Sequence, residues 1–172
     1  MSGSDAVIIR EMREDEKSAV KQMVSSNLEL VEGWMFYFSK ETLVAEQNDQ
    51  LVGVITFKAF PLAGGRTGGL LAWAATSKSV RGSGVGRRLY KQAAERLAEL
   101  GADELFGCIE GLNYPSSRLV ESEGFNRLTA TNMFRRYGLF GTFALWFRLM
   151  HIPDIGHFVW AKQVNGEAYP PT

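Results

Sequence analysis

Apolar and polar positions along this chain follow two periods, and the places where the period changes mark its elements. Val7-Ile8-Ile9 is a short apolar run that predicts a first strand. Arg13-Glu14-Asp15-Glu16 then sets acidic side chains in the first turn of a helix, where they complement its dipole. Val20, Met23 and Val24, spaced i, i+3, i+4, give that helix one apolar face. Leu28 to Phe38 gathers Trp34, Met35, Phe36, Tyr37 and Phe38 around Gly33, a density of rings suited to covering a core. Thr42 to Glu46 and Leu51 to Phe60, rich in Val, Ile, Thr and Phe, flank Asn48-Asp49 and predict a β-hairpin, with Gly53 at a bulge or a close backbone approach.

Pro61 to Gly69 holds four glycines and a proline and predicts a loop, and Gly69 to Thr76 predicts the next strand. Leu89, Ala93, Leu97 and Leu100 then fall on one helical face, with Gly101 placed to end the helix. Glu104 to Glu110 predicts a strand, Asn113 to Gly124 a short helix with a proline in its first turn, Asn126 to Tyr137 a further strand and His157 to Val164 the last one. Between these last two lies Gly138 to Gly156, carrying Leu139, Phe140, Phe143, Leu145, Trp146, Phe147, Leu149 and Met150. It predicts a helix hydrophobic on nearly all sides. Asn165 to Thr172 is a polar, Pro-containing tail.

At 172 residues the expectation is a single domain, 1–172, with an apolar insertion at 138–156. The 19 basic and 19 acidic side chains cancel, so no global field draws the chain to nucleic acid or anionic lipid, and any positive patch must be local. One cysteine, Cys108, permits no intrachain disulfide and suits a reducing compartment, which reads as cytoplasmic. No run reaches the roughly 20 apolar residues that cross a bilayer, so no transmembrane segment is expected. His151, Asp154 and His157 match no usual metal-ligand spacing, and no metal site is expected.

The chemistry gathers at Arg81-Gly82-Ser83-Gly84-Val85-Gly86, which opens into the helix beginning near Arg87. Three glycines in five positions ahead of a helix let backbone N–H groups converge on an anion, with no side chain in the way. The loop is not a P-loop, because it ends in Gly86-Arg87-Arg88 and lacks the hydroxyl that would hold magnesium. It is not a dinucleotide fingerprint either, because its glycines are spaced G-x-G-x-G. Arg87 and Arg88 stand at a helix N-terminus, where cations are disfavoured unless an anion offsets them or they are solvated.

What remains is R-x-x-G-x-G after an apolar strand, and with it the chain resembles the GNAT superfamily of acyl-CoA-dependent N-acyltransferases. Asn113, Ser116, Leu119, Gly124 and Phe125 fall at the offsets of a second motif of that family. The resemblance implies a GNAT-like mixed α/β fold: a mostly antiparallel twisted sheet of about seven strands, helices on both faces, and a splayed central parallel pair. It implies acetyl-CoA as co-substrate, with the pyrophosphate on Arg81, Gly82, Ser83, Gly84, Val85, Gly86 and Arg87. It also places the pantetheine arm along Ala74 and Thr76, with Asn113 and Ser116 on its other side, and an acceptor pocket near Leu28 to Phe38.

The implied reaction is direct attack of a primary amine on the thioester, the acceptor being a small molecule or a peptide or protein amine. Glu110, at the end of its strand, is the candidate general base. The tyrosine that often protonates the departing thiolate in the family is replaced by Val120, so Tyr114, water, or no catalyst at all are the options left. The alternative from another class is a non-catalytic acyl-CoA sensor on the same fold. The apolar segment from Gly138 suggests packing over the acceptor end of the cleft, a homodimer contact, or peripheral membrane attachment.

Overall fold

The computed structural model describes residues 6–25, 41–149 and 157–165. Leu28 to Phe38, His151, Asp154 and residues 166–172 lie outside the described residues. In chain order the elements are β1 (Ile8–Glu11), α1 (Lys17–Ser25), β2 (Glu41–Gln47), β3 (Gln50–Pro61), β4 (Thr67–Thr76), α2 (Val85–Glu99), β5 (Glu104–Glu110), α3 (Tyr114–Ser122), β6 (Asn126–Leu128), α4 (Ala130–Arg148) and β7 (His157–Gln163). Among the described residues the strands form one seven-stranded sheet in the order β1-β2-β3-β4-β5-β7-β6, mostly antiparallel with one parallel pair. By internal packing the chain divides into two compact units, Met1–Lys58 with Leu71–Arg96 and Ala59–Leu70 with Leu97–Thr172, so that β3 and β4 each contribute to both.

In the first unit, β1 pairs antiparallel with β2 (Ile8 opposite Glu46), and β2 with β3 (Glu41 opposite Phe57). The β2–β3 turn is Asn48-Asp49, both at positive φ, the twist that a two-residue hairpin requires and that Asn and Asp tolerate. The register slips between Ala45 and Glu46, a bulge beside Gly53. A side chain on Gly53 would stand 2.9 Å from Leu89 of α2, so the glycine serves close helix packing as well. Val20 and Val24 of α1 bury against Val44, Val54 and Ala75, with Met12, Met23 and Leu51 around them. Leu89, Ala93 and Leu97 are fully buried as the spacing predicts, whereas Leu100 lies past the helix end and is half exposed.

Arg10 ties this unit's start together. Its guanidinium donates to Glu16 (2.5 and 2.8 Å) and to Glu46, and Glu16 also accepts the Arg13 amide at 2.7 Å. The Arg10 hydrogen bond, with help from that amide, holds the Glu16 carboxyl down at about 2 against the opposing cost of burial. A depressed folded value stabilises above the unfolded carboxylate pKa, here 4.5, and the contribution is lost as pH falls through about 2. Glu16→Gln should therefore lower stability at pH 7 by about 1 kcal/mol, a figure kept small by the partial solvation of Arg10 and Glu46. It should also flatten the loss of stability on acidification below pH 4.5, which thermal melts across that range would read directly.

In the second unit, β7 lies antiparallel to β5 (Glu104 opposite Gln163, Glu110 opposite His157) and to β6 (Leu128 opposite Val159). Here the expectation of a strand from Asn126 to Tyr137 is corrected. Strand geometry ends at Leu128, and α4 takes over from Ala130. Thr129 caps the helix by accepting the Asn132 amide at 3.2 Å, and Met133 and Tyr137, one turn apart, bury the same face. The helix thus starts eight residues before Gly138, where it breaks (φ 67°, ψ −179°) into two segments. Only glycine adopts that backbone at low cost. Phe134 on the first segment packs edge-on against Phe143 and Trp146 on the second, with centroids 6.2 and 5.6 Å apart.

Tyr137 also closes the unit's polar core. Its hydroxyl donates to Glu104 at 2.5 Å, Glu104 is 0% exposed, and Arg66 and Arg136 stand 3.4 and 3.5 Å from the same carboxylate. Burial first, and then the Glu104 charge, push the Tyr137 phenol well above its usual range, so it remains a donor.

Candidate active site

In the first unit, a short 3-10 turn at Lys78–Val80 leads from β4 into the glycine loop, and α2 begins at Val85. The Arg81 amide donates to Lys78 and the Ser83 amide to Val80, while the Ser83 hydroxyl donates to the same Val80 carbonyl at 2.6 Å. These contacts fix the turn and commit two of the loop's amides. The helical ladder then starts with the Arg88 amide donating to Gly84 at 3.0 Å. In the turn before that bond, the N–H groups of Gly84, Val85 and Gly86 precede the ladder and project from the positive end of α2.

Gly82 and Gly84 sit at φ 81° and 84°, and among the described residues a side chain placed on either would meet nothing within 4 Å, so no described residue fills the space over the loop. No acidic residue stands in the first turn of α2 to answer its dipole. Arg81, Arg87 and Arg88 are exposed, and Arg88 donates to the Val7 carbonyl at 2.9 Å. The geometry is that of an anion cradle built from backbone, rimmed by arginine.

Ala74 and Thr76 precede this cradle on β4. The Trp73 amide donates to the Thr56 hydroxyl and the Ser77 amide to the Val52 carbonyl, so residues 73 and 77 turn their N–H groups toward β3. Strand alternation then turns the backbone groups of Ala74 and Thr76 away from β3. Ala75 is buried in the unit's core, Ala74 is exposed and Thr76 is half-buried. The Thr76 methyl lies 3.8 Å from where a Gly86 side chain would begin, which brings the strand end and the helix start together.

In the second unit, Glu110, Asn113, Tyr114 and Ser116 cluster at the end of β5 and the start of α3. The Asn113 amide donates to the Glu110 carbonyl at 2.9 Å, and the Asn113 side chain caps α3 by accepting the Ser116 amide at 3.2 Å. Glu110 is exposed, and Tyr114 is 61% exposed with its ring available at the helix start. Val120 is 1% exposed, a core residue of α3 with no proton to give. Burial pushes the Cys108 thiol, mid-way along β5, up to about 12, so it is no thiolate nucleophile at neutral pH. Among the described residues no cluster of three or more His, Cys, Asp or Glu could hold a metal ion.

Solved structures share the fold. A structure of the NatC complex bound to Gag peptide and CoA superposes with a TM-score of 0.71 at 21% identity, over 92% of this chain and 98% of that one. Arabidopsis thaliana Naa50 in complex with the bisubstrate analogue CoA-Ac-MVNAL gives 0.69 at 15%, over 91% and 98%. A ribosomal-protein-alanine N-acetyltransferase from Brucella melitensis gives 0.64 at 21%, over 91% and 99%. At these identities the likeness is one of fold, and no curated protein sequence matches the chain. Residues 7–125 match the sequence model of the acetyltransferase (GNAT) family, which takes in both the glycine loop and the Asn113 motif. The chain belongs to the GNAT acetyltransferase family.

Proposed function

We propose that this protein transfers the acetyl group of acetyl-CoA directly to a primary amine, with residues 1–172 acting as one catalytic domain. The observation that carries the reading is the N-terminus of α2: space over Gly82 and Gly84 that no described residue fills, the amides of Gly84, Val85 and Gly86 ahead of the helical ladder, and no acid in the first turn. These amides, with Arg81 and Arg87 at the rim, hold the pyrophosphate. Gly82 and Ser83 shape the turn. The outward backbone of Ala74 and Thr76 binds the pantetheine amides, and Asn113 and Ser116 orient the thioester end. Glu110 takes the proton of the attacking ammonium, and Tyr114 returns one to the departing thiolate.

In this reaction the amine nitrogen bonds to the thioester carbon, the carbon–sulfur bond breaks, and CoA leaves as a thiol. With a thiol pKa near 8.5, CoA leaves tolerably even unassisted, so the general acid raises the rate without being indispensable. The peptide ligands of the NatC and Naa50 structures make a peptide α-amino group the first acceptor to assay. The test is release of free thiol from acetyl-CoA in the presence of peptide, amino-acid and polyamine acceptors. Tyr114→Phe should lower kcat by about 100-fold where chemistry limits the rate, at unchanged affinity for CoA. An unchanged kcat assigns the proton to water. The buried Val120 favours one second reading, an acyl-CoA sensor, which predicts tight CoA binding and no turnover with any amine.

A further inference from the structure

The second segment of α4 is apolar on its exposed side as well as on its buried one. Its outer arc carries Phe140 (87% exposed), Phe147 (85%), Leu139 and Phe143 (both more than half exposed) and Ala144, with no polar side chain among them. Its inner arc buries Thr142, Leu145 and Leu149, and the Thr142 hydroxyl is used up on the Gly138 carbonyl at 2.7 Å. A helix on a water-facing surface keeps polar side chains on its outer face, and this one has none there. The break at Gly138 and the Phe134–Phe143–Trp146 ring cluster fix this arc firmly in place.

The surrounding charge says what covers it. From Gly124 to Pro153 the chain holds four arginines and no Asp or Glu, within a sequence whose charges otherwise balance. Arg136 is engaged with Glu104 and Arg127 stacks on Phe158; of the other two, Arg148 follows Ala144 by one helical turn, and Arg135 is exposed on the first segment of α4. Exposed aromatic and aliphatic side chains in a stretch that carries arginine and no acid fit the boundary of a bilayer with anionic headgroups. Ten residues of helix span about 15 Å, which suits lying in that boundary, and among the described residues no helix is long and apolar enough to cross a membrane.

We propose that residues 139–148 dock this protein on the surface of an anionic lipid bilayer, with Phe140 and Phe147 inserted and Arg135 and Arg148 among the headgroups. The proposal stands independently of the acetyl-transfer reading. Its test is flotation of the full chain with phosphatidylcholine vesicles, with and without phosphatidylglycerol. The wild-type protein should float with the anionic vesicles. Phe140→Ser combined with Phe147→Ser, with an unchanged circular dichroism spectrum, should weaken partitioning by roughly 100-fold. Arg135→Gln combined with Arg148→Gln should weaken it by about fivefold per arginine, on anionic vesicles only. The proposal is overturned if the wild-type protein stays unbound with both vesicle types or if the serine variant floats as well as the wild type. It is also overturned if sedimentation shows a wild-type dimer that the serine variant converts to monomer, since a second copy then covers the arc.

Discussion

A Gly86→Glu variant should fold as the wild type does and bind CoA about 1,000-fold more weakly. Among the described residues a side chain started at Gly86 meets only the Thr76 methyl, at the ordinary contact distance of 3.8 Å, and no positive φ is involved, so the backbone has no reason to move. The added carboxylate would stand beside the N–H groups proposed to hold the pyrophosphate. Two like charges about 4 Å apart in a partly solvated site repel by about 4 kcal/mol, which is the thousandfold. Gly86→Ala is the control: it adds no charge, should keep the affinity, and should favour the helix slightly. Gly84→Glu is the poorer experiment, because at φ 84° it would mix backbone strain with charge. Arg81→Ala should cost only a few-fold, since it removes one exposed cation and no amide. Calorimetric titration with CoA, paired with circular dichroism, reads all four, and wild-type affinity in a folded Gly86→Glu protein would refute the cradle.

Glu104→Ala should cost about 3–5 kcal/mol of stability, a large part of the roughly 5–15 kcal/mol that holds an ordinary domain folded. The carboxylate is completely buried between the Tyr137 hydroxyl, Arg66 and Arg136, and removing it leaves a buried phenol and nearby arginine charge without their acceptor. Tyr137→Phe should cost less, about 1.5–3 kcal/mol, because the arginines still answer the carboxylate. Urea denaturation gives both values and their order. A Glu104→Ala protein within about 1 kcal/mol of wild type would mean that the cluster is solvated and not structural.

The strands, the hairpin turn and the glycine loop are legible in the sequence because each rests on local chemistry. Asn48-Asp49 supplies its own positive φ, Val20 and Val24 repeat at helical spacing, and Gly84 takes up its positive φ at little cost. Even the paired role of Gly53, bulge and close contact, follows from a missing side chain in a strand. The true extent of β6 is hidden because Met133, Phe134 and Tyr137 alternate loosely enough with polar residues to pass for a strand. The Thr129 cap and the one-turn spacing of Met133 and Tyr137 are the contrary signal. Glu104 leaves no signal at all. A carboxylate opening a strand reads as solvated, and its partners lie more than thirty residues away on either side, in Arg66 and in Arg136 and Tyr137. Likewise the loop's glycines mark a candidate anion site in the sequence, while the commitment of the Arg81 and Ser83 amides to the turn becomes visible only in three dimensions.

The most direct test of acetyl transfer is to follow free thiol from acetyl-CoA with a peptide amine, and to weigh the peptide by mass spectrometry in the same reaction. The wild-type protein should release one thiol for each acetyl group gained by the amine, and Gly86→Glu should release none above the uncatalysed rate. A wild-type protein that binds CoA through the same cradle, yet yields neither thiol nor acetylated product with peptide, amino-acid or polyamine acceptors, would contradict the enzyme and leave a sensor in its place.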